Sequence, residues 1–138
     1  MAHNNTVYII SGGPYSSKDS GLFLTTSLDG GDSFSDPVEI DADGKFVNPM
    51  NVEGIATDGA GLHVLYVAGQ VFVSGNEEIL LLQMSGDDSN VTSLVNLSRN
   101  LGVSECPSIA MAGDNLYLVW EDLTPGNHEI LFARGALV

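Results

Sequence analysis

Apolar positions come in short bursts along this chain, not in long helical stripes. Ten such segments stand out: Val7-Tyr8-Ile9-Ile10, Leu22-Phe23-Leu24, Val38-Glu39-Ile40, Gly54-Ile55-Ala56, Leu62 to Val67, Ile79 to Leu82, Leu94 to Leu97, Ser108 to Met111, Leu116 to Trp120 and Ile130 to Ala133. Each has the length of a strand and is rich in β-branched, aromatic or other large apolar residues. The stretches between them, such as Ser11-Gly12-Gly13-Pro14, Asp29-Gly30-Gly31-Asp32 and Thr124-Pro125-Gly126-Asn127, carry the Gly and Asx residues that tight turns need. The pattern predicts an all-β chain with almost no helix.

The strand pattern also repeats. Ile55-Ala56, Gly59, Leu62 and Val64-Leu65-Tyr66 match Ile109-Ala110, Gly113, Leu116 and Leu118-Val119-Trp120 at an offset of 54. After a three-residue difference in the next loop, Gly75-Asn76-Glu77-Glu78-Ile79-Leu80 matches Gly126-Asn127-His128-Glu129-Ile130-Leu131 at 51. Upstream, Leu22-Phe23-Leu24 and Val38-Glu39-Ile40 match Ile79-Leu80-Leu81 and Val95-Asn96-Leu97 at 57. A recurring unit of this length with four short strands is the size of a β-propeller blade. The 138 residues then form a single partial propeller domain of about two and a half blades, with units over 6–40, 48–98 and 105–138. Ten strands would also suit a β-sandwich, but a sandwich gives no reason for one half to repeat the other.

Composition narrows the partners. Four Lys and Arg stand against 18 Asp and Glu, a formal charge of −14. Nucleic acid is excluded, because no cations are available to cluster on phosphates. The longest apolar run, Ile79 to Leu82, is far short of a membrane helix, so no membrane insertion is expected. No signal peptide is visible before Tyr15, while the acidic, Lys-poor composition points to an extracellular or cell-surface setting. One cysteine, Cys106, rules out an intrachain disulfide, and a buried inert thiol is expected there.

Ser27-Leu28-Asp29-Gly30-Gly31-Asp32-Ser33-Phe34 fits the pattern Ser-x-Asp-x-Gly-x-x-aromatic. It resembles the Asp-box, or bacterial neuraminidase repeat, of sialidase-like propellers. The runs from Glu105 to Ala110, Leu116 to Asp122 and Gly126 to Arg134 are similar to repeats of that family. The resemblance implies a structural box made by Ser27, Asp29, Gly31 and Phe34 between the third and fourth strands of a blade. There the carboxylate accepts N–H bonds of its own turn and the ring folds back as a plug. A second box position, Met84 to Val91, is degenerate and lacks the aromatic, and a third would begin at Gly135.

A sialidase resemblance also implies three arginines, a Tyr-Glu nucleophile pair and an Asp acid/base. Only Arg99 and Arg134 exist here, and no Tyr-Glu pair can be assigned, so no catalytic residue is expected. The candidate ligand-facing residues are Arg99 near a blade-to-blade connection, Glu105, and Trp120-Glu121-Asp122 at a strand end. The bland alternative packs Trp120 between blades and leaves the two acids as a solvated turn. Asp29, Asp32, Asp36, Asp41 and Asp43 offer oxygen ligands for Ca²⁺, but no loop follows a Ca²⁺-binding pattern, and no cofactor is expected. His3 is expected to be disordered and His63 packed in a strand, and with His128 in a loop the three form no metal constellation. The functional expectation is a non-catalytic, glycan- or protein-binding or scaffold element of a larger propeller or an oligomer. The alternative is a fragment of a sialidase-type glycoside hydrolase. Partners are further blades, from another copy or a longer parent, and a carbohydrate or protein ligand.

Overall fold

The computed structural model describes residues 2–3, 5–12, 21–40, 51–57, 64–73, 75–85, 90–124 and 126–136. Among them every regular element is a strand, and the strands form three antiparallel sheets. The first sheet joins β1 (Ala2–His3), β2 (Thr6–Gly12), β3 (Leu22–Ser27) and β4 (Val38–Ile40) in chain order. The second joins β5 (Asn51–Thr57), β6 (Val64–Val73), β7 (Asn76–Ser85) and β8 (Val91–Asn96), again in chain order. The third holds β9 (Ser104–Ala112), β10 (Asn115–Asp122) and β11 (Glu129–Ala136). The expectation that His3 is disordered is corrected: Ala2 and His3 pair with Val7 and Thr6 and add a strand to the first sheet. The expectations for Asp41, Asp43 and His63 fall outside the described residues.

The strand ladders repeat along with the sequence. Leu24 pairs with Val38 as Leu81 pairs with Val95, and Phe23 with Glu39 as Leu80 with Asn96. Gly75 (φ 91) and Gly126 (φ 94) hold the same left-handed conformation ahead of matching strands, a geometry that disfavours any residue with a Cβ. The first strands of the second and third sheets each carry a bulge, between Val52 and Gly54 and opposite Val119 to Glu121. In one respect the register differs from the sequence match. Thr57 pairs with Leu65, and Met111 with Leu116, so the second strands correspond at an offset of 51, not 54. The three-residue difference therefore lies in the connection before the second strand. Apolar residues occupy both alternatives, which is why residue matching does not fix the register.

The sheets stack face to face, and β7 lies at the centre. Its odd positions, Ile79 and Leu81, pack with Ala68 against Leu116, Leu118 and Trp120 of the third sheet. Its even positions, Leu80, Leu82 and Met84, pack against Tyr8, Leu22, Leu24 and Ile40 of the first. A strand buried on both faces has no polar side to present, so the run Ile79-Leu80-Leu81-Leu82 is continuously apolar.

A polar seam ties the second sheet to the third through residues 97–103. The Leu97 N–H donates to the Ile79 carbonyl (2.8 Å). The Ser98 hydroxyl accepts from Ile79 N–H (3.0 Å) and donates to the buried Glu78 carboxylate. The Asn76 amide donates to the carbonyls of Asn100 (3.2 Å) and Gly102 (2.6 Å). Beyond it, Leu123 N–H reaches the Val103 carbonyl (2.9 Å), holding the end of β10 against the connection. Buried backbone groups at this junction thus find partners although no ladder continues through it.

Candidate functional site

Residue types at the two ends of the sheets differ in what they can do. In the first sheet the turn from β3 to β4 is organised by Asp29. Its Oδ1 accepts from the Ser27 hydroxyl (2.7 Å) and from the Ser33 N–H (2.9 Å), and its Oδ2 accepts from the Ser33 hydroxyl. The hydrogen bonds from Ser33, then that from Ser27, hold its carboxyl well below the usual carboxylate range. The Ser27 oxygen accepts in turn from Gly31 N–H (2.9 Å). Gly30 (φ 80) and Gly31 (φ 104) take conformations that a side chain would strain. The Phe34 ring folds back over Gly31, 4.0 Å from where a Cβ on that glycine would stand, and it remains partly exposed. These bonds lie within the turn, and the Gly30 N–H ties it to the Asn5 carbonyl (2.7 Å), so the chemistry of this end is structural.

The opposite end of the third sheet is different. Cys106 (φ 51) and Pro107 form the bulge that faces Trp120 in the ladder, where Pro is tolerated because its missing N–H leaves no bond unmade. The bulge brings Glu105 into register with Glu121. His128, in the connection to β11, places its Nδ1 3.2 Å from Glu121 Oε2. One ligand atom from each of Glu105, Glu121 and His128 lies within 4.8 Å of the other two. The sequence treats His128 as an isolated loop residue, whereas folding groups it with two carboxylates. Two acids and an imidazole at this spacing can accept several hydrogen bonds from a hydroxyl-rich ligand, or share one cation.

The other sequence-predicted positions divide between the inner face and the surface. Trp120 faces inward between the second and third sheets, where its indole N–H has no partner among the described residues. Asp122 is no solvated acid. It is 0% exposed, and its Oδ2 accepts from the Ser104 hydroxyl (2.8 Å) and from the Asn100 amide. Its Oδ1 accepts from Thr124 N–H (2.9 Å). Strand alternation explains this, since Trp120 and Asp122 share the inner face with Leu118, and only Glu121 between them points outward. Arg99 (φ 40) stays on the surface, its Nε donating to the Asn96 carbonyl (3.1 Å). Arg134 lies over the Tyr117 ring at 5.8 Å and donates to Asn115. Cys106 is exposed, not buried, because the bulge turns it out of the sheet.

Asp122 carries a prediction about acid stability. Burial raises its pKa, but the bonds from Thr124, Ser104 and Asn100 outweigh burial and lower it to about 2, from 3.8. The folded state therefore gains stability that is complete above the unfolded value and is lost as pH falls through about 2. The gain is about 2 kcal/mol at about 1.4 kcal/mol per pKa unit. Asp122→Asn is expected to lower stability at neutral pH by about that much and to flatten the acid limb. Urea unfolding of both proteins across the acid range checks this. An unchanged acid limb in the variant would disprove the assignment.

No family model matches the chain, and no curated protein does. One solved structure, described as "Bacteroides ovatus Xyloglucan PUL GH43B", superposes with a TM-score of 0.61 at 21% identity, covering 98% of this chain. The chain is part of a β-propeller. Its three sheets are successive blades, the third represented by three strands. It spans 25% of the length of the solved chain that it matches.

Proposed function

We propose that this chain is a non-catalytic stretch of an Asp-box propeller that presents a carbohydrate-binding end. The observation that carries this reading is the surface grouping of Glu105, Glu121 and His128, at the end of its blade opposite the third-to-fourth strand turn. In the first blade that turn holds the Asp29 network, whose local hydrogen bonding supports an Asp-box of the sialidase-like kind. Carboxylates that accept from neighbouring sugar hydroxyls recognise a glycan without needing to break it. The two arginines make local bonds, Arg99 Nε to the Asn96 carbonyl and Arg134 to the Asn115 side chain, and two arginines fall short of the three that a sialidase-type grip on a carboxylate uses.

The test is a glycan array of sialylated and hemicellulose oligosaccharides. Saturable binding is expected, weakened about tenfold by Glu121→Gln, the size of one charge-assisted hydrogen bond. Absence of binding to every glycan would overturn the reading. A second reading, a glycoside hydrolase fragment, is favoured by the solved structure above, whose description names a GH43 enzyme. Release of the aglycone from an aryl glycoside, abolished in Glu105→Gln, would favour that reading instead.

A further inference from the structure

The two end blades expose faces that are covered in the middle one. Ile79 and Ile130 occupy the same position of the repeat, as do Leu81 and Phe132. Ile79 is 0% exposed beneath the third blade, while Ile130 is 68% and Phe132 62% exposed. Val119, paired with Phe132, shares that open face. At the other end, Tyr8 and Ile10 of β2 point toward the second blade, so Ile9 between them points away and is 44% exposed. Phe23 alternates in the same way with the buried Leu22 and Leu24.

These are the leading and trailing faces of one stacking direction. The first blade packs on the second, and the second on the third, through this same pair of faces. We infer that the Ile130–Phe132 face of one copy docks on the Ile9–Phe23 face of a second copy of this chain. What covers Ile79 in this molecule shows what fits over Ile130: an apolar sheet face of the same repeat. Each copy offers both halves of that contact, so the interface is head-to-tail. Two copies bring six sheets together, within the four to eight blades that close a propeller. This inference concerns assembly and is independent of the carbohydrate reading.

Sedimentation of the purified chain over a concentration series tests it. The wild type is expected at twice the chain mass. Phe132→Asp and Ile9→Asp, both at exposed positions, should each weaken association about a hundredfold, the effect of losing one large apolar anchor. Mixing the two variants should restore a dimer, because one copy keeps its leading face and the other its trailing face. A wild type that stays monomeric throughout, or a mixture that stays as monomeric as its components, would overturn the inference. Circular dichroism matching the wild type shows that each variant is folded.

Discussion

Gly102→Ala is expected to destabilise the chain by about 3 kcal/mol or more, placing it among the most damaging single changes available. The reason is close approach, not backbone conformation. A Cβ on Gly102 would stand 2.5 Å from Thr124 Cα and 2.7 Å from its Oγ1, and closer still to its nitrogen. Thr124 cannot withdraw cheaply, because its N–H is bonded to Asp122 and the preceding Leu123 N–H to Val103. Moving Gly102 instead would break its carbonyl's bond from Asn76. Either response opens the seam between the second and third blades. Gly135→Ala is the control, since nothing lies within 4 Å of the Cβ it would add. It should shift stability by less than about 0.5 kcal/mol. Urea unfolding midpoints separate the two, and a Gly102→Ala protein with the wild-type midpoint would contradict the packing described for this junction.

Much of the fold can be read from hydrophobic pattern alone. Alternation and turn residues place the strands, and the repeat groups them into units, because each strand is short and bounded by Gly, Asn, Asp or Ser. What escapes the pattern is of two kinds. Ala2 and His3 form a strand through two backbone pairings at the start of β2, and two residues carry no periodicity to detect. The register of β6 escapes because several apolar residues in succession satisfy two alignments equally, and only the ladder decides between them.

The candidate site was legible to a lesser degree. Glu105 and Glu121 are visible as acids at strand ends, but their approach depends on a bulge that adds a residue opposite Trp120. His128 joins them through a connection whose path no local signal specifies. Asp122 and Trp120 show the opposite failure. Next to Glu121 they read as one polar strand end, yet alternation sends both inward, and the carboxylate is satisfied by Asn100, Ser104 and Thr124. A burial period of two, with Leu116 and Leu118 as its anchor, was the signal that could have separated them. The Asp29 turn was readable because its partners, Ser27 and Ser33, lie within a few residues of it.

Asn76 and Asn127 illustrate how neighbours, not sequence, decide the fate of a repeated position. The Asn76 amide donates to Glu78, and the Asn127 amide donates to Glu129 in the same way. Yet Glu78 is buried beneath Ser98, and Glu129 is exposed. The same contrast holds for the apolar pair of the repeat, and its energetic consequence is large. Burial of Ile79 between two blades means that truncating it removes transfer free energy and leaves a cavity that flanking side chains cannot fill. Ile130, its repeat partner on the open face, loses little in the isolated chain because water already covers it.

The stacking of this chain's blades leaves a covered middle and open outer faces. It is tested most directly by unfolding Ile79→Ala and Ile130→Ala side by side at a concentration where the chain is monomeric. The expected loss is about 3 kcal/mol for Ile79→Ala and less than about 0.5 kcal/mol for Ile130→Ala. Equal losses, or a larger loss at Ile130, would contradict it.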